Sequence, residues 1–456
     1  MKKYQVNTTI KTIQEYLDMT ADCNIMIPDL RYAAPELIAD AKELGLPICG
    51  WNPGKTKPPY LSIVDISEKQ DYSQVYRLAI KTKDGHKILL KDLNNFCAGD
   101  LHGKNQAELD DIADAVNFFS NKGCTMRKNI EALISPDILA EATTLSPAEQ
   151  EYYVDLVDAM KGGACAIMPQ YLNVDIPHEV HIDVHQMYGY IMSTFDFPVG
   201  QPEIHAGFYY SQFAVFALGH SMMRLRKDGY PLFSNQVNHK PIGIDGQPFD
   251  VQKELGSITS LDLELLYTNY ELLDNNLEID YSIVWPDKVS GKKVFKPVVN
   301  LLYSQRKKYK GKPGASVFKL ANEYIAGIFE RSIQGKEKYN PKIGMFITAY
   351  GRRLLNDMLH QCRHDLVIGY DTDAVFLACA ANEVPTGLRK GFGDDKGQYH
   401  IDADGINAFH FAAKHYKYQD AATGNLVEKE AGKSATGYCW YWNKKTGRFT
   451  YEKQAR

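Results

Sequence analysis

The pattern of apolar and polar positions is most telling at two places along the chain, and both carry acids. Over Val180-His181-Ile182-Asp183-Val184-His185, a strand of period two puts Val180, Ile182 and Val184 on one face and His181, Asp183 and His185 on the other. Asp183 is thereby expected to leave the core and face a cleft. Over Asp365 to Leu377, an apolar run rich in β-formers enters the turn Asp371-Thr372-Asp373 and a second apolar run leaves it, which predicts a β-hairpin with carboxylates at its tip.

The same patterning predicts the flanking elements. Ile10 to Met19 reads as a short helix, Asn24 to Ile27 as a strand, and Pro35 to Leu44 as a helix closed by Gly45. Tyr76 to Ile80 and Lys87 to Leu90 read as paired strands joined at Lys83-Asp84-Gly85-His86. Residues 145 to 163 form a helix running into Gly162-Gly163, where glycines let backbone approach a ligand or simply close the helix. Pro297 suits a first helical turn continuing through Arg306, Lys307 and Lys308; after Gly311-Lys312-Pro313-Gly314 a second helix carries Lys319 to Phe329. Phe346 to Gln361 is helical, and residues 437 to 451 read as a closing hairpin.

Two carboxylates at i and i+2, with a third brought from elsewhere, can hold two Mg²⁺ ions, with Mn²⁺ as a substitute, for activating a hydroxyl and stabilising a leaving pyrophosphate. Asp371 and Asp373 with Asp183 fit that pattern, although an isolated Asp-Thr-Asp is also an ordinary acidic turn. His181-Ile182-Asp183-Val184-His185 alternatively has the spacing of a transition-metal site, but no other Cys or His cluster supplies further ligands in a recognisable spacing.

Composition adds boundaries. The 456 residues allow a large core, and the net charge of −4 gives no global basic field, so any nucleic acid must be held by local clusters such as Arg224 to Lys227, Arg306 to Lys312 and Arg352-Arg353. Eight cysteines without Cys-x-x-Cys pairing suggest reduced thiols and a cytoplasmic protein. No apolar stretch approaches the roughly 20 residues needed to span a bilayer, so no membrane partner is expected.

In order, Asp183 with Tyr188, a basic segment ending in Lys319, and Asp371-Thr372-Asp373 resemble the motifs of family B DNA polymerases, most nearly the protein-primed polymerases of small bacteriophages. Arg226-Lys227-Asp228-Gly229-Tyr230-Pro231 and Ser260 to Leu266 resemble that group's first terminal-protein region. Thr348-Ala349-Tyr350-Gly351-Arg352 resembles its Thr-x-x-Gly-Arg motif and Lys414-His415-Tyr416 its Lys-x-Tyr motif. The agreement covers about residues 150 to 430.

The resemblance implies an α+β right-hand polymerase: a degenerate exonuclease-like domain over 1–150, palm over 151–204, a terminal-protein-region-like insertion over 205–295, fingers over 296–331, palm again over 332–430, and a reduced thumb or hairpin over 431–456. It implies metal binding and catalysis by Asp183, Asp371 and Asp373, and nucleotide binding by Tyr188, Arg306, Lys307 and Lys319, with the Tyr188 ring excluding a 2′-hydroxyl. DNA contacts fall to Gly162, Gly163, Thr348, Gly351, Arg352, Lys414 and Tyr416.

Several positions depart from the pattern. Met160 stands where the linker has Tyr, Gly189 where Pro follows the sugar-floor Tyr, and Ala326 where a Tyr stacks near the nascent pair. The exonuclease acids are largely missing: Asp29 and Ala33 occupy the second motif's Asn and Asp positions, and only Asp114 matches the third. A second terminal-protein region has no room between Phe329 and Pro341.

The expected function is therefore DNA-directed DNA synthesis from dNTPs on a primer-template without proofreading, distributive, and primed by a terminal protein or another end, with other replication subunits as partners and the host cytoplasm as its place. Two readings stay open beside it: a template-independent or primer-making nucleotidyltransferase, and a non-catalytic DNA-binding scaffold.

Overall fold

A computed structural model of the chain describes residues 101, 104–119, 126–235, 240–329 and 339–430, short stretches before residue 101, and the strand pair 438–443 and 448–453. The chain divides into two compact units: residues 1–139, 297–328 and 333–337 form one, and 140–296, 329–332 and 338–456 the other. The basic helical hairpin therefore belongs with the N-terminal region rather than with the acid-bearing sheet.

In the first unit a five-stranded sheet runs in the order Gln5–Val6, Asn24–Ile27, Lys87–Asp92, Arg77–Lys81, Ile48–Gly50, parallel over its first three strands and antiparallel over the rest. The hairpin expected at 76–90 is the Arg77–Lys81 and Lys87–Asp92 pair. The expected helix at 10–19 and the Asp29 to Ala34 motif lie outside the described residues. Helices Lys296–Lys308 and Ala315–Gly327 flank the predicted Gly-Pro break, and the backbone N–H of Gly314 donates to Asp111 at 2.7 Å. Phe318 from the second helix packs edge-on against Phe118 and at a tilt against Phe119, which anchors the hairpin within this unit.

The second unit is built on a seven-stranded antiparallel sheet in the order Leu426–Glu430, His415–Asp420, Tyr399–Ala412, Asp175–Val184, Ala374–Leu377, Val367–Asp371, Cys165–Ile167. The two acid-bearing stretches singled out by the sequence pattern are thus immediate neighbours at its centre. Helix Lys342–Leu359 is largely buried, with Ile343, Phe346, Ile347, Leu355 and Leu359 all fully covered. It begins four residues before the apolar pattern suggests, because Lys342 is tied inside to Glu141 and Glu149 rather than exposed. The polar face of the 175–184 strand is covered at Glu179 and His181, contrary to the simple alternation, although Asp175 and Pro177 before them are exposed. His181 is buried against Phe376, with Tyr416 and Tyr418 edge-on to its ring, and its side chain bonds buried Glu179, which also accepts from His410 at 2.9 Å. Beyond His181 that face opens again at Asp183, which is half-buried.

Residues 203–284 contribute a four-stranded and a three-stranded sheet with helix Ser260–Asn269. The strands Tyr438–Asn443 and Arg448–Lys453 pair antiparallel, as the closing hairpin requires. Among the described residues, no helix is long and apolar enough to cross a membrane.

Candidate metal-binding active site

The sheet register brings the three predicted carboxylates to one edge. Ala374 pairs with Asp183 across one strand boundary and with Asp371 across the next, and the backbone N–H of Val184 donates to the carbonyl of Asp373 at 3.0 Å. The acids cluster because a strand end and a tight turn meet side by side.

That turn is strained. Thr372, between the two acids, adopts φ 59°, a left-handed conformation costly for a β-branched residue. It is held there by three contacts: its N–H donates to Ala164 O at 2.8 Å, its hydroxyl donates to Asp371 Oδ1 at 3.0 Å, and the Asp373 N–H bonds Asp371 O at 2.7 Å. Gly163 makes the arrangement possible, since a Cβ there would lie 2.8 Å from the Thr372 side chain. Gln186 (φ 49°) and Lys414 (φ 62°) are further left-handed residues bordering the same edge.

Electrostatics mark the cluster as cation-seeking. Burial first, and then the neighbouring charges of Asp183 and Asp371, push Asp373 up to about 7, against a smaller opposing effect of its backbone hydrogen bond and Lys414. The Lys414 ammonium lies 2.7 Å from Asp371 Oδ1; burial pulls its pKa down, but bonding to Asp371 outweighs this and the net shift is upward. An all-carboxylate donor set in which one acid holds a proton near neutrality fits hard divalent cations, whose charge takes the proton's place.

The predicted residues separate into two groups. Gly162 and Gly163 are exposed, and no atom of the described residues lies within 4 Å of a Cβ built at Gly162, so none of the described residues demands glycine there. Tyr188, half-buried on helix Met187–Thr194, rests where Gly351 lacks a side chain: a Cβ at Gly351 would lie 3.3 Å from the Tyr188 ring and 3.1 Å from Met187. Lys319 and Lys307 are exposed and Arg306 is half-buried on the basic hairpin of the other unit; the Lys307 ammonium sits 4.7 Å from the Tyr303 ring centroid.

The second group is corrected by burial. Thr348 and Arg352 are not surface groups. The Thr348 hydroxyl bonds Met345 O within its own helix, and the fully buried Arg352 guanidinium makes a bidentate pair with Asp262 at 2.8 Å while donating to Lys161 O and Gly162 O at 2.6 Å. Arg352 therefore holds the Gly162-Gly163 loop instead of a phosphate. Tyr416, expected to hold a primer end, is buried against His181, His410 and Phe376. Arg224 is paired with Glu271. Asp114 is exposed on helix Gln106–Asn117, an ordinary charged surface position.

Sequence reasoning missed two residues at the edge. His400 pairs directly with Asp183 from the Tyr399–Ala412 strand, and Asp402 follows two positions later; Asp183, His400 and Asp402 present ligand atoms within 4.8 Å of one another. His185 stacks on His400 with ring centroids 3.7 Å apart. The sequence signal was faint: two polar residues of alternating spacing in a strand far along the chain.

No protein-family model matches the chain, and no curated protein matches it. Solved structures do. Phi29 DNA polymerase complexed with primer-template DNA is 17% identical with a TM-score of 0.66, over 93% of this chain and 86% of that one. The same polymerase with primer-template DNA and incoming nucleotide substrates gives 15% identity and a TM-score of 0.68, over 92% and 86%. Its complex with single-stranded DNA gives 17% and 0.65. The chain thus has the fold of phi29 DNA polymerase, the right-hand α+β architecture expected of a family B enzyme.

Proposed function

We propose that this chain is a DNA-directed DNA polymerase that transfers a nucleotide from a dNTP to a primer 3′-hydroxyl, with Asp183, Asp371 and Asp373 as the catalytic acids. The observation that carries the reading is the meeting of Asp183 with the Asp371-Thr372-Asp373 turn, in a setting that raises Asp373 to about 7. Asp183, Asp371 and Asp373 would hold two Mg²⁺ ions, which would supply Lewis-acid stabilisation for the attacking hydroxyl and the leaving pyrophosphate.

The chain's own residues divide the remaining work. Thr372, held by Ala164 O, keeps Asp371 and Asp373 directed to one edge. Lys414 offers a cation beside Asp371 and is assigned to the primer end. Tyr188, seated against Gly351, forms a floor beneath the incoming sugar that leaves no room for a 2′-hydroxyl. Exposed Gly162 and Gly163, anchored from below by Arg352, let a nucleic-acid backbone approach closely. Arg306, Lys307 and Lys319 are assigned to the triphosphate, where a guanidinium's fork and an ammonium's point charge both suit phosphate oxygens. Proofreading is absent in this reading, since one candidate acid, Asp114, cannot run two-metal hydrolysis. A terminal protein or a nucleic-acid end serves as primer.

Primer extension with Mg²⁺ on matched templates, mismatched templates and unpaired primer tests the reading. It expects incorporation that follows the template base. Incorporation indifferent to the template would instead support a template-independent transferase, and DNA binding without incorporation a scaffold.

A further inference from the structure

The His-x-Asp-x-His spacing around Asp183 has no place in the reaction proposed above, yet the structure completes it in an unexpected way. His181 is committed to Glu179 inside the sheet, and His185 is stacked flat on His400. The ligands that the spacing lacks come from another strand. We propose that Asp183, His400 and Asp402 form a binding site for a divalent first-row transition ion in preference to Mg²⁺, beside the Asp371 and Asp373 carboxylates and sharing Asp183 with them.

Four observations support this. First, the three ligand atoms lie within 4.8 Å of one another, close enough for one ion to bridge them after small side-chain adjustments. Second, the strand pairing brings them together: His400 is the cross-strand partner of Asp183, and Asp402 is the extra residue of the bulge that follows, where the register shifts between Ile401 and Ala403. Third, His400 Nδ1 is buried and has no hydrogen-bond partner among the described residues, a state that a native imidazole usually resolves with a donor, an acceptor or an ion. Fourth, the His185 ring lies parallel to His400, with 1° between the planes, and so fixes the orientation of the imidazole.

The donor set decides the class of ion. Mg²⁺ favours oxygen ligands and keeps its water, whereas imidazole nitrogen suits the transition ions; two carboxylates add the charge that a divalent ion requires. An imidazole beside two carboxylates therefore selects Mn²⁺, Co²⁺ or Zn²⁺ over Mg²⁺. The exposure of Asp402 leaves one side open to water and to a further oxygen ligand. The inference shares one residue with the polymerase reading but does not depend on it.

The test uses the full-length protein freed of metal, with Mn²⁺ as the probe in a large excess of Mg²⁺, read by electron paramagnetic resonance. Bound Mn²⁺ is expected to show hyperfine coupling to a directly ligated nitrogen in the wild type and in Asp371→Asn, which removes a neighbouring acid outside the three. His400→Ala should lose the coupling and weaken Mn²⁺ retention against Mg²⁺ by roughly tenfold or more. His400→Asn, with circular dichroism on both variants, guards against a folding defect. Mn²⁺ bound by the wild type without nitrogen coupling overturns the site, as do coupling that survives both substitutions and failure to retain Mn²⁺ against Mg²⁺. Primer extension by His400→Ala in Mg²⁺ alone reports separately on the polymerase reading.

Discussion

Asp373 concentrates the chemistry of the site in one ionisation. Its carboxyl is raised from the ordinary 3.8 to about 7, by burial and then by Asp183 and Asp371. Between those limits the unfolded chain has released this proton and the folded chain retains it, so in metal-free protein this group makes stability fall as pH rises from 3.8 to about 7 and level off above. Glu179 acts in a separate window. Burial opposes its ionisation, but hydrogen bonds from His181 and His410 outweigh this and hold it at about 2, so its stabilisation is full above 4.5 and is lost as pH falls toward 2. Thermal melts of metal-free protein across pH 4 to 8 should therefore show a decline that Asp373→Asn removes, and Mg²⁺ should restore stability at the high end while releasing protons near neutrality. A profile identical in Asp373→Asn would contradict the crowding of these acids. At this scale the sequence was informative where function is local: Asp371 and Asp373 announce themselves through the apolar runs that flank them. It misled where a side chain's fate depends on a distant strand. His181 reads as a cleft residue by alternation but is sealed in by Phe376 and Tyr416, and His400 signals nothing until it is found opposite Asp183.

Among the elements, the acidic hairpin and the Gly162-Gly163 loop work as one piece. A Cβ at Gly163 would lie 2.8 Å from both Thr372 Cγ2 and Oγ1, whereas one at Gly162 meets no described atom within 4 Å. Gly163→Ala should displace Thr372 and reduce incorporation by up to about a hundredfold with an unfolding midpoint little changed. Gly162→Ala should leave the fold intact and weaken DNA binding, measured by anisotropy on primer-template DNA; unchanged DNA affinity would remove the close approach assigned to this loop. Beneath the loop, the Arg352 and Asp262 pair is fully buried. Removing either partner leaves a buried charge, so Arg352→Ala or Asp262→Ala should cost about 3–5 kcal/mol in urea unfolding. The salt dependence of DNA binding by whatever remains folded should be unaltered, because Arg352 touches no phosphate in this account. A shallower salt slope for Arg352→Ala would return it to the DNA interface. Burial of an arginine was not legible from its motif, since a guanidinium in an amphipathic helix ordinarily reads as surface.

Across the whole molecule, helical boundaries were legible because Pro297 and the Gly311 to Gly314 break are local punctuation, and both helices appear where they predict. Their grouping with the N-terminal unit was not, because the chain leaves that unit at residue 139 and returns at 297, a path that no local pattern encodes. The N-terminal region carries one further expectation. Incubation of the protein with a mismatched primer terminus and Mg²⁺ in the absence of dNTPs should leave the primer intact, and stepwise shortening from the 3′ end would show that a working exonuclease had been overlooked.

The central claim concerns the meeting of Asp183 with the Asp371 and Asp373 turn, and single-nucleotide incorporation tests it most directly. Wild type and Asp183→Asn should be compared on one matched primer-template with Mg²⁺, with DNA affinity measured alongside. The expected result is templated incorporation by the wild type and a loss of roughly a thousandfold or more in the variant, with DNA binding retained. Equal incorporation by the two proteins, or none by either while both bind DNA, would contradict it.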